Sequence, residues 1–200
     1  MKQNARILFH GGPMDISAKS AYDRAGHRKY LTRAEGEKFL ARASQLPKLR
    51  ALFCLTLYYT GCRISEALNL TGIDFDLELK AVRIRSLKKR DQEEVRRIPL
   101  PAFLVSELLK ITASFPDQRI WAFSRITGWR IIRSVMNTAE ISGIHATCKG
   151  LRHGFGVRAA LEQIPLSQIQ RWMGHADPTT TAIYLDVQDK EERALIKRTW

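Results

Sequence analysis

Helical spacing of apolar residues runs through the chain from residue 30 onward and is broken once, in the middle, by a stretch of period two. The folded part is predicted to begin at Tyr30. Thr32 and Glu35 have capping-box spacing, and Phe39, Leu40 and Ala43 continue an amphipathic helix. Pro47 opens a second helix whose body, Leu49 to Tyr59, is apolar nearly all round, as expected in a core. Gly61 stops it, and Arg63 to Leu70 reads as a third helix with Ile64, Ala67 and Leu68 on one face. Val82-Arg83-Ile84-Arg85 then alternates as a strand, Val95 to Leu100 is its return, and Ser86 to Glu94 forms a long polar hairpin tip. Helical spacing resumes over Phe103–Ile111, Trp129–Ile141, Gly150–Leu161, Leu166–Met173 and Thr179–Leu185, with a last piece around Glu191–Lys197. Trp121, Phe123 and Trp129 fall at core spacing. The expected fold is mainly α with a small antiparallel β-sheet.

Residues 1–29 show little periodicity and carry six basic against two acidic side chains, so they are expected to form a flexible basic N-terminal arm. Across the whole chain Lys and Arg number 33 against 20 acidic residues, a formal charge of +13, which points to a polyanionic partner. Eight basic and three acidic residues lie between Lys80 and Arg97, so the small sheet is the most positive part. The longest apolar run, Ala51 to Tyr59, is too short to span a bilayer, and the N-terminus lacks the apolar core of a secretory signal. Cys54, Cys62 and Cys148 form no C-x-x-C pair and read as reduced thiols, Cys62 as a small buried residue. Neither a phosphate-binding G-x-x-x-x-G-K-[ST] loop nor an H-E-x-x-H pair occurs. The expectation is a cytoplasmic, nucleoid-associated protein with no membrane partner.

Four segments carry candidate chemistry. They are Thr60-Gly61-Cys62-Arg63-Ile64-Ser65-Glu66-Ala67-Leu68, Leu151-Arg152-His153-Gly154-Phe155, Trp172-Met173-Gly174-His175, and Thr179-Thr180-Thr181-Ala182-Ile183-Tyr184. In this order, with a basic hairpin between the first two, they resemble the tyrosine recombinases, the family of phage integrases and Xer-type resolvases. Arg63 and Glu66 match its first box; Leu151, Arg152 and His153 its second; Gly174, His175 and Tyr184 its third. The resemblance covers about residues 30–195 and implies the tyrosine-recombinase catalytic domain fold.

The chemistry agrees with the resemblance. Attack on a phosphodiester builds negative charge on the non-bridging oxygens, which the planar, permanently charged guanidiniums of Arg63 and Arg152 can hold bidentately. A phenol needs a cationic site to become a competent nucleophile, and Tyr184 is the candidate. The resemblance implies a 3′-phosphotyrosine intermediate, a hairpin lysine that protonates the 5′ leaving oxygen, and His175 on a phosphate oxygen, with no cofactor and no metal. Lys88 is the expected hairpin lysine, with Lys89 the alternative. Lys89, Arg90, Arg83 and Arg85 are expected to contact DNA, and Glu66 to brace the arginines. His153 is either a buttress or a phosphate ligand.

One position departs from the family pattern: Lys149 stands where the second box begins with histidine. It is read as a substitute donor in an active enzyme, although a lysine is a poor shuttle for the tyrosine proton. The expected organisation is the arm over 1–29, a catalytic domain over 30–187 and a tail helix over 188–200, docking in trans on a neighbouring subunit or in cis. Most relatives carry a further N-terminal helical domain that 1–29 cannot form, so the chain reads as a lone catalytic domain or as a truncated product of a longer gene. The implied function is site-specific recombination of double-stranded DNA (integration, excision, inversion or resolution) by a dimer or tetramer on paired sites, with accessory DNA-bending proteins. Two alternatives stand beside it: a type IB topoisomerase-like nicking-closing enzyme, and a non-catalytic DNA-binding regulator with the same fold.

Overall fold

A computed structural model describes residues 20–86, 94–185 and 196–197. Helices α1 (Arg33–Ala43), α2 (Lys48–Thr60) and α3 (Ile64–Leu68) come first. A 3-10 turn at Gly72–Asp74 leads into strands β1 (Phe75–Asp76), β2 (Ala81–Arg85) and β3 (Val95–Pro99). Helices α4 (Ala102–Thr112), α5 (Arg125–Thr138), α6 (Cys148–Leu161), α7 (Leu166–Met173) and α8 (Thr179–Ala182) complete the described fold. The architecture is thus mainly helical with a small antiparallel sheet, as the spacing predicts. Strand β1 was absent from that reading because a two-residue strand is too short to show a period. No helix among the described residues is long and apolar enough to cross a membrane.

The sheet runs β1-β2-β3, all antiparallel, with Val82 opposite Ile98 and Ile84 opposite Arg96 on the buried face. Arg83 lies directly across from Arg97 on the exposed face, a like-charge pair that costs stability unless an anion meets it. Helix α2 sits at the centre of the main core, where Phe53, Cys54 and Leu57 pack with Phe39, Trp121, Ile132 and Leu151. A smaller core lies beside it: Tyr22, Tyr30, Val157, Ile169, Met173, Ile183 and Tyr184.

Two expectations are corrected. The described end of the supposed arm is packed and not free: Ala21 and Tyr22 are buried, Tyr22 bridges to Arg28, and the Tyr22 and Tyr30 hydroxyls lie 3.2 Å apart. Its apolar contacts number too few to show as a period, so composition alone hid them. Trp129 is not core; it is 47% exposed, because α5 buries the face carrying Gly128, Ile131, Ile132, Val135 and Met136 and Trp129 lies off that face.

Glu35 ties the first segment to the rest. Its carboxylate caps α1 through the Thr32 amide (3.0 Å), takes both terminal nitrogens of Arg28, and meets His145 Nε2 at 3.2 Å. Burial pushes this carboxyl up, but Arg28, His145 and the Thr32 amide outweigh it and hold it well below the ordinary carboxylate range. A depressed carboxylate contributes stability that is complete above its unfolded pKa and lost as pH falls. Glu35→Gln is therefore expected to cost about 1–3 kcal/mol at pH 7 and to flatten the loss of stability below about pH 4, read by urea unfolding across pH.

Candidate active site

The site assembles where α2 ends. Gly61 closes that helix in the left-handed region (φ +58°), which glycine adopts without strain, and the turn delivers Arg63 as N-cap of α3. One turn on, Glu66 is 2% exposed and fully engaged. Its Oε2 accepts from the Arg63 amide (2.8 Å) and from Arg96 Nη2 (2.5 Å), and its Oε1 accepts from Arg63 Nη1 (2.8 Å). Burial pushes the Glu66 carboxyl up, and Arg96 and Arg63 more than reverse this, so it stays ionised.

Arg152, on α6, knits the boxes together. Nη1 donates to Gly61 O (2.8 Å) and Nη2 to Met173 O, the carbonyls at the ends of α2 and α7. Burial and the neighbouring Arg63 charge pull this guanidinium down to about 10, which still leaves it charged at neutral pH. Arg63, Arg96 and Arg152 thus gather at one place. Among the described residues, Glu66 is the one carboxylate in ion-pair contact with them.

Tyr184 is 1% exposed and closes the smaller core. Its ring lies so close to α6 that a Cβ on Gly156 would stand 2.5 Å from it, so only glycine leaves the space. The phenol oxygen is 3.1 Å from His153 Nδ1, and the His175 ring stacks near the phenol at 6.2 Å between centroids. Thr181 Oγ1 holds His175 Nδ1 at 2.9 Å. Burial pushes the Tyr184 phenol up to about 12, with Arg152 and Arg63 pulling against it. Burial, then Lys149, Arg152 and Lys29, depress His153 to about 3. His175 falls to about 3 through burial and the charges of Arg152 and Arg63. Both imidazoles are neutral.

A cleft of about 920 Å³ opens beside Arg63 and Arg152, lined also by Ser65, Arg125, Trp129 and Lys149. The structure therefore brings together Arg63, Glu66, Arg152, His153, His175 and Tyr184, and sets Lys149 on the cleft wall. Arg83 and Arg85 lie apart, on the exposed face of β2, where Arg83 donates to Ile73 O and Arg85 pairs with Asp74 at 3.7 Å. Lys88, Lys89 and Arg90 lie outside the described residues, as does the tail over 188–200 apart from Ile196 and Lys197. Cys62 is buried, and that burial pushes its thiol up to about 11.

Sequence reasoning missed three residues. Arg96 is 4% exposed; the period of β3 puts it on the same face as Ile98, and that signal was available. Arg125 carried no signal of its own, and Thr181 lay in a segment already singled out, but its contact with His175 depends on how the chain folds back between them.

Residues 29–191 match the phage integrase family. The chain is 30% identical over 170 residues to tyrosine recombinase XerA of Thermococcus onnurineus, covering 80% of this chain and 58% of that protein. It is 31% identical over 182 residues to XerA of Pyrococcus furiosus, covering 85% and 61%. The chain thus spans about three-fifths of the length of these curated relatives. A solved XerA recombinase superposes with a TM-score of 0.73 at 25% identity, covering 85% of this chain and 64% of that one. The XerH recombinase in a post-cleavage complex with a palindromic difH substrate gives 0.69 at 26%, covering 85% and 53%.

Two outcomes follow from the buried charges. Glu66→Ala leaves Arg96 charged and unpaired, an expected loss of about 3–5 kcal/mol by urea unfolding, whereas Glu66→Leu combined with Arg96→Met restores most of it. The two neutral imidazoles contribute stability that is complete above an unfolded pKa near 6.5 and is lost as pH falls below it. Each adds a slope of up to about 1.4 kcal/mol per pH unit in that range, which His175→Asn should reduce measurably.

Proposed function

Because the chain belongs to the phage integrase family, we propose that it cuts and rejoins double-stranded DNA at specific sites through a covalent 3′-phosphotyrosine intermediate. The observation that carries this reading is the charge imbalance around Tyr184: three guanidiniums gathered about one carboxylate, with Arg63 and Arg152 reaching the wall of an open cleft and two neutral imidazoles beside the phenol. A buried excess of cation is costly in an empty protein and is relieved by a dianionic transition state.

In the proposed step Tyr184 Oη forms a bond to phosphorus as the bond to the 5′ oxygen breaks. Oη gives its proton to solvent, the 5′ oxygen takes one from Lys88 and solvent reprotonates that lysine, so the exchange is neutral overall and religation reverses it without an external energy source. Arg63 and Arg152 hold the non-bridging oxygens, with Lys149 as a further donor from the cleft wall. His175 donates to the phosphate from the side opposite its Thr181 contact. Lys88 protonates the leaving oxygen, with Lys89 as the alternative, and no metal or cofactor takes part. Arg83, Arg85, Lys89 and Arg90 contact the duplex backbone, where phosphate contacts fix register. The XerH structure on its difH substrate supports DNA as the partner of this fold. On paired sites the active unit is a dimer or tetramer, coupled through the tail over 188–200 and assisted by DNA-bending proteins, acting on nucleoid DNA in the cytoplasm.

Nicked suicide duplexes tiled across the replicon that encodes the protein provide the test. Wild type is expected to form a covalent adduct, in chelator as well as in magnesium. Tyr184→Phe should bind DNA equally and form none, and Arg63→Ala and Arg152→Ala should each slow adduct formation at least about 100-fold. An adduct with Tyr184→Phe, or a magnesium requirement for cleavage, overturns the reading. Lys88→Ala should stall on normal DNA and recover on a 5′-bridging phosphorothiolate, whose sulfur leaves without a proton. Recovery by Lys89→Ala in its place moves the role one residue on.

A further inference from the structure

His153 touches the oxygen that is to attack, yet two features of its surroundings limit what it can do there. Its Nδ1 is 3.1 Å from Tyr184 Oη, while its Nε2 is sealed from solvent and has no partner among the described residues. A neutral imidazole carries one N–H and one bare nitrogen. If the proton sat on Nε2, the ring would bury an N–H with nothing to accept it, the costlier of the two orphans. With the proton on Nδ1, the N–H is satisfied by Oη; what is left over is a lone pair on Nε2 and the phenol's own hydrogen, which is the proton lost on attack.

The ring's charge environment argues the same way. Were His153 to accept the phenol proton it would become an imidazolium, buried and facing the charges of Lys149, Arg152 and Lys29. A donor faces no such barrier, and its bond to Oη strengthens as the oxygen gains negative charge.

Resting on the reading of Tyr184 as the nucleophile, we propose that His153 is a positioning residue: it donates Nδ1–H to Tyr184 Oη, fixes that oxygen beside the arginines, and takes no part in moving the phenol proton. Gly156 and the His175 ring set the plane of the phenol, and His153 sets the direction of its oxygen. The bond moves no proton in either direction, and it persists in the phenolate.

The deciding measurement needs no activity. In the full chain labelled with ¹⁵N-histidine, with His153 assigned by its loss in His153→Asn, Nδ1 should show the protonated shift and Nε2 the unprotonated one between about pH 5.5 and 8. The reverse tautomer, or titration in that range, overturns the proposal. Kinetics then test the role. His153→Leu should slow adduct formation on saturating suicide duplex by about tenfold or more with DNA affinity unchanged. His153→Asn, whose amide nitrogen sits where Nδ1 was, should return to within about threefold of wild type at matched thermal stability. Wild-type speed in His153→Leu, or no recovery in His153→Asn, overturns it. Failure of wild type itself to form an adduct on any duplex counts against the recombinase reading, and the tautomer measurement still decides the bond.

Discussion

Two guanidiniums, those of Arg63 and Arg96, converge on the buried carboxylate of Glu66 with a third, Arg152, close by, and the arrangement of the rest of the site follows from making that tolerable. Glu66 satisfies Arg63 and Arg96 together and accepts the Arg63 amide as well. With no negative charge left to share, Arg152 is held by backbone carbonyls instead. Those carbonyls lie at helix ends, where the oxygens have no intrahelical partner and the helix dipole is negative. A half-buried cation is thereby placed at the cleft wall without a counter-ion among the described residues.

The same contacts explain why segments far apart in the chain act as a unit. Arg152 joins the end of α2 to the end of α7, and Arg96 joins the sheet to α3 through Glu66 and to α7 through the Trp172 carbonyl. Excess positive charge then governs the titrating groups nearby. It adds to burial in keeping His153 and His175 neutral, and it works against burial at Tyr184. A neutral imidazole can donate to an oxygen without competing with the arginines for the phosphate.

Tyr184 is also a packing residue. It shares a core with Tyr22 and Tyr30 from the first described segment, and with Met173 and Ile183 around the third box. The proposed nucleophile is thus held by apolar burial on its ring and by one hydrogen bond at its oxygen. Stability of that small core and placement of the attacking atom are one problem.

Much of this protein was legible in its sequence. Helix positions followed from apolar spacing and from Thr32, Pro47 and Gly61 at the ends, because local hydrogen bonding and burial of one face act over a few residues. That Arg63, Glu66, Arg152, His175 and Tyr184 would lie together was expected from the order of four segments resembling the tyrosine recombinases, and the structure does gather them. Tertiary structure alone decided which carbonyls hold Arg152, that Arg96 is buried as Glu66's second partner, and that His153 meets the phenol. It also packed Tyr22 where composition suggested a free arm, and turned Trp129 out to the cleft where spacing suggested the core. Each of these depends on pairing across dozens of residues of chain, and local periodicity carries no record of which distant group will be opposite.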